Sequence, residues 1–461
     1  MRETRGRLFG TDGARGLANA DLTAALALRI GRAFGGWIAA QEPSAQVLLA
    51  RDTRVSGPML SAAVAAGLCS AGVQVVDCGV LTTPALCLLT RAQGRAGGVV
   101  ISASHNPPAF NGVKLVGPSG DKLSDEAAVE IEEAVFAEED LAPTPTGSRV
   151  GGIEPAEGAE EQYLDLLFKH DPPAASLQGL RVLLDCCYGA AYRLAPEALA
   201  RAGAEVTTLN ATPDGTKINV DCGSLYPEQL AEAVRAQGAD LGVAFDGDGD
   251  RAMLVDADGT VRDGDFTKLV LAQDLQERGA LEPPLVVGTV MSNLGLELAL
   301  RELGIGLLRA PVGDRYVADE MRSSGAVLGG EQSGHIVFGR MGVGDGILTA
   351  LRVCEVLVRT GRTFAELCAS LRKVPQTLIN VPVKDKHSWE HSERLREELA
   401  KWQARLADRG RVLVRASGTE PLVRVMVEAL DHGLAVRAAE DLGDIIATEF
   451  GYGQLLSEPE A

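Results

Sequence analysis

The chain has 8 cysteines in 461 residues, at positions 69, 78, 87, 186, 187, 222, 354 and 368, and no Cys-x-x-Cys pair among them. Zinc ribbons and dithiol redox centres need that spacing, and adjacent Cys186 and Cys187 make a poor disulfide or metal pair. Reduced, buried thiols in a cytoplasmic protein are the expectation. No run approaches the roughly 18 apolar residues that a membrane-spanning helix requires. Met1-Arg-Glu-Thr-Arg-Gly-Arg at the start lacks the apolar core of a signal peptide. Positive charge is scarce, with 44 Lys+Arg against 63 Asp+Glu and a net charge of −19. Such a surface repels a polyphosphate backbone, which argues against nucleic acid as a partner. Cations that meet an anionic ligand must then be gathered locally, so an arginine beside a glycine-rich turn carries extra weight.

What is present describes a globular protein: 46% hydrophobic and 23% charged residues, in a length that suggests about three or four domains. One supersecondary theme recurs three times. Val47-Leu-Leu-Ala50, a helical stretch Met59 to Ser70, and Val73 to Asp77 form the first copy. Arg181 to Asp185, Ala195 to Ala202 and Ala204 to Thr208 form the second. Leu285 to Val290, Leu294 to Leu303 and Ile305 to Leu308 form the third. Strand, helix ending at Gly72, Gly203 or Gly304, then strand is the pattern of a βαβ crossover in a parallel sheet. The expected architecture is three tandem similar α/β domains with mixed, mostly parallel sheets, plus a C-terminal α+β domain. A Pro-, Gly- and Thr-rich connector at 138–161, a polar turn at Val255-Asp-Ala-Asp-Gly259 and Lys373-Val-Pro375 mark the breaks. They place the domains at 1–155, 156–257, 258–372 and 373–461.

Four segments carry chemistry. A β-branched strand stops at Ser102-Ala-Ser104-His-Asn-Pro107, which holds a hydroxyl on a rigid backbone. Asp246, Asp248 and Asp250 follow the apolar strand Leu241 to Phe245. Read as an extended segment, alternation points them to one side while the glycines let the backbone curl round an ion, and an oxygen-only set suits magnesium, manganese or calcium. A calcium-binding EF-hand fails, because Arg251 and Ala257 stand where Gly and Glu are needed. A phosphatase of the Asp-x-Asp type usually carries Thr or Val where this chain has Asp250. Glu331, Ser333 and His335 follow Gly329-Gly330 and offer acceptors for polyol hydroxyls and a proton relay. Arg415, Ser417, Gly418, Thr419 and Arg424 surround a small-residue turn between two strands, a cradle for an anion. Phe9-Gly-Thr-Asp-Gly-Ala-Arg15-Gly16 is a further glycine-rich turn with a guanidinium.

Together these motifs resemble the α-D-phosphohexomutase superfamily, from Phe9-Gly-Thr-Asp-Gly to Arg415-Ala-Ser-Gly-Thr-Glu-Pro421. Ser102-Ala-Ser-His-Asn-Pro, Gly-Gly-Glu-Gln-Ser-Gly-His335, Thr289-Val-Met-Ser-Asn-Leu-Gly295 and Pro311-Val-Gly-Asp-Arg-Tyr316 are similar to its phosphoglucosamine mutase branch. Two departures stand out. Ile336 to Gly344 is shorter than the usual pattern with Val343 in place of Thr, and Tyr188 stands where Asn is common.

The resemblance implies four domains around a central cleft and a phosphoserine at Ser104. It implies one Mg²⁺ held by Asp246, Asp248, Asp250 and the Ser104 phosphate, with Arg15, Lys114 and Arg251 around the transferring group. Glu331 and Ser333 would hold sugar hydroxyls and His335 would assist proton transfer. Arg415, Ser417, Gly418, Thr419 and Arg424 would grip the non-reacting phosphate. The implied reaction interconverts glucosamine 6-phosphate and glucosamine 1-phosphate through a 1,6-bisphosphate, towards UDP-N-acetylglucosamine and cell-wall precursors. A mutase of glucose or mannose phosphates is the alternative. The expected partner is a small sugar phosphate, without nucleic acid or membrane, and a homodimer is compatible with this reading. A sugar-phosphate sensor on the same scaffold would lack the nucleophile or a carboxylate, and neither is missing.

Overall fold

The computed structural model describes residues 8–10, 13–43, 45–137, 144–170, 175–339, 342–417, 420–452 and 456–457. Four sheets organise them. The first holds β1 (Ala14–Leu17), β2 (Gln46–Arg51), β3 (Gln74–Val80), β4 (Gly97–Ile101), β5 (Phe110–Val116) and β6 (Ile153–Pro155) in the order β1-β5-β4-β2-β3-β6. Its β4-β2-β3-β6 stretch is parallel, and β5 and β1 add antiparallel. The second holds β7 (Arg181–Asp185), β8 (Glu205–Leu209), β9 (Leu241–Phe245), β10 (Ala252–Asp256) and β11 (Val261–Arg262) as β11-β10-β9-β7-β8. The third is β13-β12-β14-β15, from β12 (Leu285–Thr289), β13 (Gly306–Ala310), β14 (Leu328–Gly330) and β15 (Ile336–Phe338). In both, the parallel strands are flanked by antiparallel ones.

Burial explains why these segments fold as they do. Strands β4 and β9 are buried at every residue, as a strand covered on both faces of a parallel sheet must be. The helices Ala24–Gln41 and Gly57–Ser70 cross so closely that a Cβ on Gly31 would meet the Val64 carbonyl at 2.2 Å. Ile30, Phe34, Val64 and Leu68 from that pair share one core with Val47, Leu49, Val75, Val99 and Ile101.

The fourth sheet is antiparallel throughout, β17-β18-β16-β19, from β16 (Gln376–Pro382), β17 (Gly410–Ala416), β18 (Leu422–Ala429) and β19 (Leu456–Ser457). Helices Glu393–Leu406 and His432–Phe450 pack in the same core through Leu395, Trp402, Leu442 and Ile446. The chain thus has three α/β sheets and a C-terminal α+β sheet. By compactness it divides into two units, residues 1–291 with 305–369 and residues 292–304 with 370–461. Helix Leu294–Glu302 groups with the second unit although it lies in the chain between β12 and β13. There Asn293 Nδ2 donates to Val374 O and Glu428 Oε1, and Glu428 Oε2 accepts from Leu294 N.

The polar turn Val255 to Gly259 joins β10 to β11, with Leu254 opposite Arg262 and Val255 opposite Val261. The three aspartates do not stay on an extended segment; the curl expected at their glycines is present. Gly249 adopts φ +74° and its N–H donates to Asp246 O at 3.1 Å, so the backbone turns between the carboxylates.

Among the described residues no helix is long and apolar enough to cross a membrane. All eight cysteines are free, seven of them buried.

Candidate active site

In open α/β sheets the C-terminal ends of parallel strands are where loops can converge on a ligand. Here the motifs sit at those ends: Ser102 to Pro107 after β4, Asp246 to Arg251 after β9, and Glu331 to His335 after β14. The first two meet directly. Ser104, 1% exposed, donates from Oγ to Asp246 Oδ2 at 2.6 Å and lies 3.1 Å from His105 Nδ1. Its backbone has φ +52°, a conformation that costs a non-glycine residue on the order of 1–3 kcal/mol and must be held by its surroundings. Ser102 Oγ accepts from Ser104 N at 2.9 Å and donates to Asp52 Oδ2 at 2.6 Å.

Asp246, Asp248 and Asp250 are all buried and offer carboxylate oxygens within 4.8 Å of one another. Burial, and then the charges of Asp250 and Asp248, push the Asp246 carboxyl well above its usual range, against the pull of Arg251 and the Ser104 hydroxyl. Lys114 Nζ lies 2.7 Å from Asp248 Oδ2 and 3.7 Å from Asp250 Oδ2. Thr83 adds a short hydrogen bond from its hydroxyl to Asp248. Asp250 Oδ1 is buried without a hydrogen-bond partner, so it retains acceptor capacity. Three hard oxygen donors, like-charged and dehydrated, with one oxygen left over, fit a divalent cation of the magnesium type.

Cations frame this cluster. Arg251 N donates to Asp246 Oδ1 at 3.2 Å and Arg251 Nε lies 4.0 Å from Asp250 Oδ1. Arg15, on β1, donates from Nη1 to Asn106 Oδ1 at 3.4 Å. Burial first, then Arg251 and Arg15, push His105 down to about 3. Its imidazole is therefore neutral at ordinary pH.

A cavity of about 170 Å³ opens beside Lys114 and Asp250 and reaches Asp314, Arg315 and His335. Glu331 Oε1 accepts from Gly313 N at 3.0 Å, which fixes the turn before Asp314. His335 is 5% exposed, with Nε2 3.7 Å from Asp314 Oδ2 and with Nδ1 making no hydrogen bond. Lys122 pairs with the same Asp314 carboxylate. Ser333 Oγ is buried without a hydrogen-bond partner. Gly344 is the ring's close neighbour: a Cβ there would meet His335 Cε1 and Nε2 at 2.3 Å. Gly344→Ala should therefore displace the imidazole and, if His335 relays a proton as the sequence leads one to expect, lower turnover on the order of 10²-fold, the scale of one acid–base group. Steady-state kinetics alongside a thermal melt would test this; unchanged kcat in a folded variant would rule out that role for His335.

In the C-terminal unit Arg415 and Arg424 stand directly opposite each other on β17 and β18. Burial, and then Arg424, pull the Arg415 guanidinium below its ordinary value. Arg424 Nη2 donates to Glu420 Oε2 at 3.3 Å, and Lys386 Nζ donates to Ser417 O at 3.1 Å. Like-charged arginines side by side suit an anion. Gly418 and Thr419 lie outside the described residues.

Several residues in this site gave no motif-level signal. Asp52, Arg54, Asn219 and Thr83 hold the motifs in place. The signal available for Asp52 and Arg54 was their position just after a buried strand, the same cue that singled out Ser104.

Family models match nearly the whole chain: phosphoglucomutase/phosphomannomutase alpha/beta/alpha domain I at residues 6–142, domain II at 161–259, domain III at 263–374 and the C-terminal domain at 378–444. The chain belongs to the phosphoglucomutase/phosphomannomutase family and is an enzyme of the phosphohexomutase class. Among curated relatives, the phosphoglucosamine mutase of Symbiobacterium thermophilum is 48% identical, over 96% of this chain and 99% of that one. That of Pelotomaculum thermopropionicum is 50% identical, over 93% and 96%. A solved phosphoglucomutase/phosphomannomutase family protein from Burkholderia thailandensis superposes with a TM-score of 0.80 at 27% identity, covering 97% of this chain and 99% of that one. N-acetylphosphoglucosamine mutase of Aspergillus fumigatus, solved with GlcNAc-6P and magnesium, shares the fold at TM-score 0.64 and 20% identity, over 95% of each chain.

Proposed function

We propose that the chain interconverts glucosamine 6-phosphate and glucosamine 1-phosphate, with Ser104 as the phosphorylated nucleophile. The observation that carries the reading is the Ser104 hydroxyl, buried in a strained turn and bonded to Asp246 of the carboxylate cluster. The relatives at 48% and 50% identity support the amino sugar over glucose or mannose. Phosphoserine donates its phosphoryl to the free sugar hydroxyl: the P–O bond to Ser104 breaks with its electron pair left on Ser104 Oγ, which is reprotonated to the hydroxyl; a P–O bond to the sugar oxygen forms, and the hydroxyl proton passes to His335 Nδ1. The 1,6-bisphosphate then turns end for end and returns its other phosphoryl to Ser104.

Lys114, Arg15 and Arg251 draw negative charge off the transferring group, which is where phosphoryl-transfer catalysis mostly lies. Glu331 and Ser333 orient sugar hydroxyls. Asp246, Asp248, Asp250 and the Ser104 phosphate would hold Mg²⁺, which supplies further neutralisation of the phosphoryl oxygens. Arg415, Ser417, Gly418, Thr419 and Arg424 hold the phosphate that is not reacting. We assign domains at 1–155, 156–257, 258–372 and 373–461, and a cytoplasmic location in amino-sugar metabolism.

Assay of phosphorylated protein on the 6-phosphates of glucosamine, glucose and mannose tests the substrate, and the highest kcat/KM is expected for glucosamine. Arg424→Ala tests the turning step. Loss of a charge-assisted contact, on the order of 1.5–3 kcal/mol, should let bisphosphate escape, so that it accumulates in solution and its addition restores turnover. Loss of activity without released bisphosphate would return the Arg415–Arg424 pair to a structural role.

A further inference from the structure

Arg54 has no part in that scheme, yet its side chain is 0% exposed and every donor it has is used. Nε donates to Asp52 Oδ2 at 2.9 Å. Nη1 donates to the Pro107 carbonyl and to Phe110 O at 3.0 Å; Nη2 donates to Ser104 O at 3.0 Å and Asn106 O at 2.7 Å. One guanidinium thus collects four carbonyls of the turn that presents Ser104. Asn219 Nδ2 takes two of the same carbonyls, Ser104 O at 2.8 Å and Asn106 O at 3.1 Å. The other end of the unit is equally fixed, since Asp52 Oδ2 receives the Ser102 hydroxyl that in turn accepts from Ser104 N.

The same short segment is docked to loops of the second sheet, whose strand β9 ends just before Asp246. Thr53 Oγ1 donates to Tyr188 O at 2.6 Å, and Arg54 makes a backbone bridge with Gly215. Arg54 therefore ties the nucleophile turn to a segment that is itself held against the second-sheet loops carrying Tyr188 and Gly215.

We propose that Arg54 is the positioning residue for the nucleophile: it holds Ser104 in its left-handed conformation, so that Oγ faces Asp246. The inference rests on Ser104 being the group that carries phosphate. A core arginine serving packing alone does not need a fork that reads four carbonyls of one turn. Lysine keeps the charge opposite Asp52 but has three donors on a single nitrogen and cannot span them.

The test uses full-length phosphorylated protein with magnesium, and the variants Arg54→Lys, Asn219→Ala and the pair. For Arg54→Lys, kcat should fall about 10²-fold, the scale of a roughly 1 Å misplacement of a reacting group, while KM for the sugar phosphate stays near wild type. Asn219→Ala should shift kcat the same way by less, and the pair by less than the product, because both act on the same carbonyls. Loss of phosphate from Ser104 to water, followed by intact mass without sugar, should change in both variants. A variant that melts earlier but keeps wild-type kcat and phosphoserine lifetime overturns the inference. If Arg54→Lys does not fold, Asn219→Ala decides alone, and unchanged kcat there overturns it. Wild-type protein that neither takes up phosphate nor turns over sugar phosphate overturns the functional reading itself, a different result from wild-type activity with indifferent variants.

Discussion

Ser104→Ala is expected to abolish turnover and protein-bound phosphate together while the protein still folds. Deleting a catalytic nucleophile costs on the order of 10⁶-fold in comparable systems. The structural cost is small by contrast. Alanine meets the same φ of +52° as serine, and the turn keeps its bonds from Arg54 and Asn219. The main loss is the 2.6 Å hydrogen bond to Asp246, about 1–3 kcal/mol for a buried acceptor left short of a donor. Intact mass and a coupled mutase assay check both halves. Phosphate that persists on the variant, with turnover near wild type, would make Asp246 the acceptor and Ser104 its partner.

Asp250→Asn should give the second large effect, and one that can be read without turnover. The side chain keeps its shape, loses its charge, and sits among carboxylates that repel it. Removing one of three charged oxygen ligands should weaken magnesium binding by more than the roughly 10–100-fold that loss of an outer partner costs. The metal-free variant should melt close to wild type, because the charge removed both repels Asp246 and Asp248 and faces Lys114 and Arg251. Added magnesium, which raises the melting temperature of any protein that binds it in the folded state, should raise that of the variant far less. kcat should fall much more than KM rises, since charge neutralisation acts on the transferring group. A variant whose melting temperature responds to magnesium as wild type does would place the cation elsewhere.

Much of the fold could be read from the chain because its strands are short apolar runs and the helices between them end at glycine. The strand read at Arg181 to Asp185 is the strand observed, and the helix read at Met59 to Ser70 starts two residues earlier at Gly57, with Pro58 in its first turn. The motifs were legible for a related reason: each is contiguous and follows a strand. What connects them was not legible. Arg54 reaches its carbonyls across 50 to 56 residues and Asn219 reaches Ser104 across 115. A lone Arg or Asn in a loop carries no local mark of such a partner. Asp246, Asp248 and Asp250 were expected to converge by alternation along an extended segment with the glycines curling the backbone; the curl is present at Gly249, φ +74°, and the extended run is not.

The placement of Leu294–Glu302 bears on how the protein can be taken apart. The second unit is assembled from residues 292–304 and 370–461, so the chain passes between the units at 291/292, 304/305 and 369/370. No single cut releases it as an autonomous module. A fragment starting at residue 370 would keep Glu428, buried, without the Asn293 amide and Leu294 N–H that it accepts from. Its paired Arg411 would lose the Ser292 carbonyl as well. Exchanging the C-terminal portion between related mutases at a point near residue 370 would therefore join halves that had not been matched at helix Leu294–Glu302, and a swap that respects the fold must carry residues 292–304 with it.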